Sequence, residues 1–177
     1  MMPANAPPNA PITASPDAPL FDRQHADFLQ SGISLCVGAC DNRGMPTLAR
    51  ATGCRLSADL MQVTMFLSAT QAAPVLRCIR ENGAVTAVFS RPSTHKTLQL
   101  KGRDAVVGGL QPGDLDVVES YRSKFARELE PMGFAEIQIR TLLAAPPADL
   151  VAVRFTPVEA YSQTPGPRAG EPLRAQA

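Results

Sequence analysis

Residues 33–56 have the sequence ISLCVGACDNRGMPTLARATGCRL. Two runs rich in apolar and β-branched residues flank the polar segment Asp41–Pro46, and runs of this kind favour β-strands. The segment contains Gly44, which has no Cβ and can adopt the positive φ that tight turns between antiparallel strands require. The stretch therefore predicts a β-hairpin with Gly44 in its turn.

Further strands are predicted on both sides of a central helix. Apolar residues alternate or cluster in four later segments, which with the hairpin make six strands in a mainly β, antiparallel arrangement. Helical spacing of apolar residues predicts flanking helices in four other segments. This order favours a small closed or half-open β-barrel. The four later strands span 60–68, 84–90, 94–107 and 150–161, and the helices lie near 21–29, 72–81, 114–129 and 134–143.

The length of 177 residues fits a single domain. Residues 1–19 are rich in Pro, Ala and Asn, and such a segment buries too little apolar surface to offset its chain entropy. We therefore expect a disordered N-terminal arm over 1–19, a folded domain over 20–162 and a Pro- and Gly-rich tail over 163–177.

Charge and cysteine content exclude several functional classes. The chain has 17 Lys and Arg against 16 Asp and Glu, so it lacks the net positive charge that concentrates nucleic acid around a protein. No apolar segment has the length of a membrane span, and no leader pattern is present. The four cysteines lack the spacing of metal or redox pairs. We expect a cytoplasmic protein that binds no metal, nucleic acid or membrane.

Two longer motifs resemble a known family. The predicted order of elements, together with RPSTHKTLQLKG at residues 91–102, resembles the pyridoxamine 5′-phosphate oxidase-like family from about Phe21 to Tyr161. The segment QTPGPRAG at residues 163–170 is similar to the tail of one bacterial branch of that family. The resemblance implies a six-stranded antiparallel split β-barrel, a homodimer, and FMN bound between the subunits of an oxidoreductase with a small-molecule substrate or electron donor.

The resemblance also implies which residues would contact the cofactor. In RATGCR, residues 50–55, a cation at each end matches the family's pattern for binding FMN, although side chains five residues apart on a strand point to opposite faces. The family's Ser-Arg-Lys phosphate segment is replaced by uncharged residues around Ser68 and Thr70. Either the helix that begins near Gln71 offers its N-terminus to the phosphate, or the phosphate site is lost. The implied cofactor-binding residues are Arg50, Thr52, Arg55, Ser68, Thr70, Lys96, Thr97 and Gln99.

Alternatives from other classes remain open. The missing Ser-Arg-Lys segment and the lack of an evident second phosphate site disfavour pyridoxamine phosphate as the substrate. Thr97 stands where the family's oxidases carry Gln, which implies a weaker flavin contact there. A non-catalytic module that carries flavin or haem on the same fold is the main alternative, with His25 or His95 as the only possible histidine ligands of haem iron. No catalytic acid or base is identified. The substrate is not predicted.

Overall fold

The computed structural model describes residues 19–173, which form four α-helices and nine β-strands. All but Pro19 of the predicted N-terminal arm lies outside these residues. No helix within them is long and apolar enough to cross a membrane. The helices are α1 (Arg23–Leu29), α2 (Ala73–Asn82), α3 (Asp114–Leu129) and α4 (Glu136–Leu142); the strands are β1 (Ser34–Cys40), β2 (Pro46–Arg50), β3 (Cys54–Leu56), β4 (Val63–Ser68), β5 (Val85–Ser90), β6 (Thr97–Gly102), β7 (Val106–Gly108), β8 (Leu150–Phe155) and β9 (Glu159–Ser162).

The strands form two antiparallel sheets. The larger has the order β2-β1-β5-β6-β9, and the smaller has the order β3-β4-β8-β7. The predicted hairpin is confirmed, because β1 pairs with β2 and Gly44 has a φ of 82° in the turn between them. The mainly β, antiparallel character and the flanking helices are confirmed as well.

The six-strand count is wrong, and the described residues form no closed barrel. Each of three predicted strands, 47–56, 94–107 and 150–161, is interrupted and passes from one sheet to the other. Gly53 makes the first interruption possible, since its φ of 149° is one that residues with a Cβ rarely adopt. The interruption between β8 and β9 contains Pro157, which has no backbone N–H to donate to a ladder.

The main core contains residues from both sheets, α1 and α2. Its fully buried side chains include Leu35, Met65, Phe89 and Phe155. Helix α2 adds the buried residues Val75, Leu76 and Ile79 to this core, in keeping with its helical apolar spacing. A second cluster joins α3 to α4. One face of the larger sheet is therefore buried and the other is left accessible.

Gly32 permits the close approach of α3 to the start of β1. Its φ is 76°, and a Cβ there would lie 2.2 Å from the Lys124 Cβ. We expect Gly32→Ala to lower the free energy of unfolding by roughly 3 kcal/mol, through positive φ and overpacking together. Gly44→Ala is the control, because that glycine also has positive φ but nothing lies within 4 Å of an added Cβ. For this variant the free energy of unfolding is expected to fall by about 1 kcal/mol. Urea unfolding measures both, and equal losses would contradict the packing argument.

Candidate functional site

Three of the sequence-predicted residues share the outer face of the larger sheet. Arg50 is paired with Cys36, which is paired with Val88, which in turn is paired with Gln99. Paired residues of antiparallel strands project to the same face, so Arg50 and Gln99 belong to one row. The adjacent row contains Ser34, Ser90 and Thr97, and the hydroxyl oxygens of the last two are 2.8 Å apart.

Arg50 is an exposed cation without an acidic partner. Its Nη1 donates to the Ser34 Oγ at 3.1 Å, and its guanidinium carbon lies 6.0 Å from the centre of the Phe125 ring. Among residues 19–173, no carboxylate lies within 4.0 Å of its nitrogens. A guanidinium has five N–H donors, so Arg50 retains most of its capacity to bind an anion.

An apolar groove of about 570 Å³ opens beside Arg50. Helices α3 and α4 and the turn between them supply most of its wall, including Phe125 and the half-exposed Phe134. Its volume lies in the range of small-molecule sites, which combine an apolar wall with a few polar groups. The lining residues are Ser34, Arg50, Pro92, Phe125, Leu129, Met132, Phe134, Gln138, Ile139 and Leu142.

Arg55 and Thr52 lie elsewhere. Arg55 belongs to β3 in the smaller sheet, where its Nε donates to the Asp114 Oδ1 at 3.0 Å and its Nη2 to the Gln111 Oε1 at 3.1 Å. The Asp114 side chain is only 1% exposed, so Arg55 compensates a buried charge. Thr52 is buried and donates its hydroxyl to the Phe66 carbonyl at 3.3 Å. The structure thus separates the two arginines of the RATGCR segment.

Ser68 and Thr70 hold a carboxylate of the chain itself. The Thr70 amide and hydroxyl donate to the Asp149 Oδ1 at 3.0 and 2.6 Å, and the Ser68 hydroxyl donates to the Asp149 Oδ2. The Gln71 amide donates to the Ser68 Oγ at 3.0 Å. Asp149 reaches this turn because β8 pairs with β4 and places Leu150 opposite Ser68. The hydrogen bonds from Ser68 and Thr70 lower the pKa of Asp149 below its ordinary value.

The lowered pKa gives Asp149 a pH-dependent effect on stability. A group whose pKa is depressed by folding stabilises the protein above its ordinary pKa, and this contribution is lost as the pH falls through the folded-state pKa. Asp149→Ala is therefore expected to lower the melting temperature at neutral pH, with a difference from the unmodified protein that shrinks below about pH 4. Thermal melts across this range measure it. A difference that is independent of pH would contradict the role assigned to the charged carboxylate.

Lys96 and both histidines lie away from the groove. The Lys96 Nζ is 4.7 Å from the centre of the Phe28 ring, and with His25 it lines a separate cavity against residues 162–173. His25 Nδ1 is 2.8 Å from the Asp22 Oδ1. His95 is exposed in a turn, with a φ of 58°. Neither histidine lines the groove beside Arg50.

The Pro- and Gly-rich tail folds back on the larger sheet as far as Leu173. The Leu173 amide donates to the Ala160 carbonyl, and the Ser162 amide donates to the Glu171 carbonyl, each at 2.8 Å. The Thr97 amide donates to the Thr164 Oγ1 at 3.0 Å. The tail therefore fixes the backbone at the start of β6, where Thr97 lies.

The four cysteines all lie in the described part of the chain, where Cys54 and Cys78 are buried and Cys36 and Cys40 are partly exposed. All four cysteines are free, and no group of His, Cys, Asp and Glu side chains there could hold a metal ion. Burial raises the pKa of the Cys54 thiol to about 12, and its Sγ donates to the Leu29 carbonyl at 3.2 Å. A thiol with so high a pKa is not a nucleophile at neutral pH.

Comparisons with known proteins give matches among solved structures only. No protein-family model matches the chain, and no curated protein does. HupZ from Group A Streptococcus is 13% identical, with 84% of this chain and 98% of that chain covered and a TM-score of 0.51, which shows a shared fold. An FMN-binding protein from Nostoc punctiforme related to pyridoxamine 5′-phosphate oxidase is 12% identical, with 82% and 84% covered and a TM-score of 0.46. HutZ, the heme storage protein from Vibrio cholerae, is 17% identical, with 80% and 94% covered and a TM-score of 0.45. Proteins of the family predicted from the sequence are thus among the structural neighbours.

Proposed function

We propose that this chain is a flavin-binding oxidoreductase of the pyridoxamine 5′-phosphate oxidase-like family, and that it holds FMN in the groove beside Arg50. The observation that carries the proposal is an exposed arginine without an acidic partner in the described residues, at the side of an apolar groove that contains Phe125 and Phe134. FMN combines a flat aromatic ring with a phosphate. A cation beside an aromatic wall matches both parts.

The residues around the groove fit a flavin in part. Arg50 supplies a cation for the phosphate, and the aromatic wall supplies contact area for the ring. Ser34 adds a hydroxyl at the groove, and Thr97 and Gln99 add polar groups on the same sheet face. Arg55 and the Ser68–Thr70 turn add nothing, since Asp114 and Asp149 already occupy them. When bound, a flavin supplies the electron transfer, and the protein supplies position and electrostatics.

The protein is proposed to act as a homodimer through the outer face of its larger sheet. Leu48 on β2 is 72% exposed, and nearby Met45 is 64% exposed. The half-buried outward residues Cys36 and Val88 continue this surface across β1 and β5. This accessible sheet face carries exposed apolar residues beside Arg50, and exposed apolar side chains make a surface suited to association.

The second candidate is a module that carries flavin or haem and catalyses nothing. The observation that favours it is the absence of an acid or base from the groove, because Arg50 is the only ionisable residue among the described lining residues. For haem, neither His25 nor His95 lines the groove, so the flavin ranks ahead of haem as the cofactor.

Two assays on one preparation distinguish these functions. The protein is titrated into FMN while the flavin fluorescence is followed, and reduced nicotinamide is then added and its oxidation is recorded. Saturable quenching with multiple turnovers is the expected result. Quenching without turnover, with several artificial electron acceptors, would favour the carrier module. An unchanged fluorescence would reject flavin binding.

A further inference from the structure

The turn between β4 and α2 has the form of an anion-binding site. The hydroxyls of Ser68 and Thr70 and the Thr70 amide converge on one point at the start of a ten-residue helix. Helix N-termini carry partial positive charge and unpaired N–H groups, and for that reason they attract phosphates and carboxylates. A cofactor phosphate bound at this turn is one of the two alternatives that the sequence allows.

The carboxylate of Asp149 already fills this turn. Three donors reach its two oxygens, and the Ala69 amide donates to the Asp149 backbone carbonyl at 2.6 Å. The pairing of β4 with β8 holds the two segments together. Ser68 is 3% exposed, so its hydroxyl is not free to turn towards a ligand in solvent.

A phosphate at this turn would meet the negative charge of Asp149, and no cation of residues 19–173 forms an ion pair with that carboxylate. Residues 67–74 contain no charged residue. The side-chain amide of Gln71 donates to the Ala144 carbonyl at 3.5 Å. The donors that would neutralise the phosphate are bonded to Asp149. Two anions separated by a few ångströms repel each other strongly unless a cation lies between them.

We propose that Asp149 is a resident anion that excludes phosphate from the N-terminus of α2, and that the phosphate of FMN is held at Arg50 instead. This inference rests on the proposed function. A partly exposed arginine that pairs with a phosphate gives roughly a tenfold preference. Removal of the Asp149 carboxylate frees the donors of Ser68 and Thr70 for inorganic phosphate. Because neither residue lines the groove beside Arg50, the preference for FMN over riboflavin is expected to stay near tenfold.

The first test uses inorganic phosphate and does not depend on flavin. Amide resonances of Thr70 and Gln71 are followed by NMR during a phosphate titration. We expect no saturable shift in the unmodified protein and a saturable shift in Asp149→Ala. Asp59→Ala is the control, because Asp59 is also a carboxylate held by a hydroxyl, that of Ser57 at 2.6 Å, and by a backbone amide. Asp149→Ser, which leaves a neutral oxygen for Thr70, is measured as well in case Asp149→Ala fails to fold.

The second test measures the dissociation constants of FMN and riboflavin for the same proteins. A ratio that stays near tenfold in the folded Asp149 variants supports the inference, because the phosphate of FMN is then held by Arg50 and not at α2. Saturable phosphate binding at Thr70 and Gln71 in the unmodified protein would overturn it, as would folded variants that gain no phosphate binding at these residues. If neither flavin binds, the proposed function fails, and the phosphate titration still decides the role of Asp149.

Discussion

Arg50→Gln is expected to weaken FMN binding by about tenfold and to leave riboflavin binding almost unchanged. The guanidinium has no acidic partner among the described residues, so its removal leaves no buried carboxylate uncompensated. The loss should therefore appear in affinity for the phosphate-bearing ligand and not in stability. Glutamine keeps a polar group for Ser34 while removing the charge.

Fluorescence titrations with FMN and riboflavin measure this effect, and thermal melts verify that the variant is folded. Arg43→Gln is the matched control, since Arg43 is an exposed arginine in the turn after β1 and does not line the groove. An equal loss for both flavins would place Arg50 against the ring and not the phosphate. No loss for either flavin would remove Arg50 from the site.

Leu48→Glu is expected to convert the proposed homodimer into a monomer. The substitution places one negative charge per subunit on the outer sheet face, at the edge strand β2, where Leu48 is 72% exposed in the single chain. A charge that is desolvated without a partner at an interface costs about 3 kcal/mol or more, and symmetry doubles the effect in a dimer. Light scattering coupled to size-exclusion chromatography measures the mass.

The matched control for this experiment lies on the other sheet. Val106 on β7 is 64% exposed, and Val106→Glu is expected to leave the dimer intact. A Leu48→Glu protein that keeps the dimeric mass would place the interface elsewhere. Dissociation by both variants would indicate that the added charge, and not the surface that receives it, causes the effect.

The periodicity of the sequence was sufficient to predict the elements but not the sheets. The hairpin around Gly44 and the apolar face of α2 follow from local patterns, because each is decided by residues close together in the chain. The interruption at Pro157 had a local signal, because proline has no N–H to donate to a ladder, but the other two strand interruptions could not be predicted in this way. Residues 47–56 contain no proline that would end a strand, and the passage into the smaller sheet at Gly53 depends on the packing of Tyr121 and Phe66 beside that glycine.

The candidate site was also predicted only in part, because local patterns do not show contacts between residues that are distant in the chain. Arg50, Thr97 and Gln99 were named from a resemblance, and the strand register places them on one face. Asp149 had no signal in the sequence, because it is separated by 81 positions from Ser68 and its neighbours resemble an ordinary loop. The groove wall was missed because no periodic pattern in the sequence distinguishes exposed apolar residues of a binding surface, such as Phe134, from other exposed apolar residues.

The most direct test of the account is the visible absorption spectrum of the freshly purified protein, before and after addition of FMN, with any released chromophore identified by mass. The protein is expected to show the two visible bands of a bound flavin, either at once or after FMN is added and unbound ligand is removed. A Soret band, or a colourless protein that retains no added FMN, would contradict flavin binding at the groove beside Arg50.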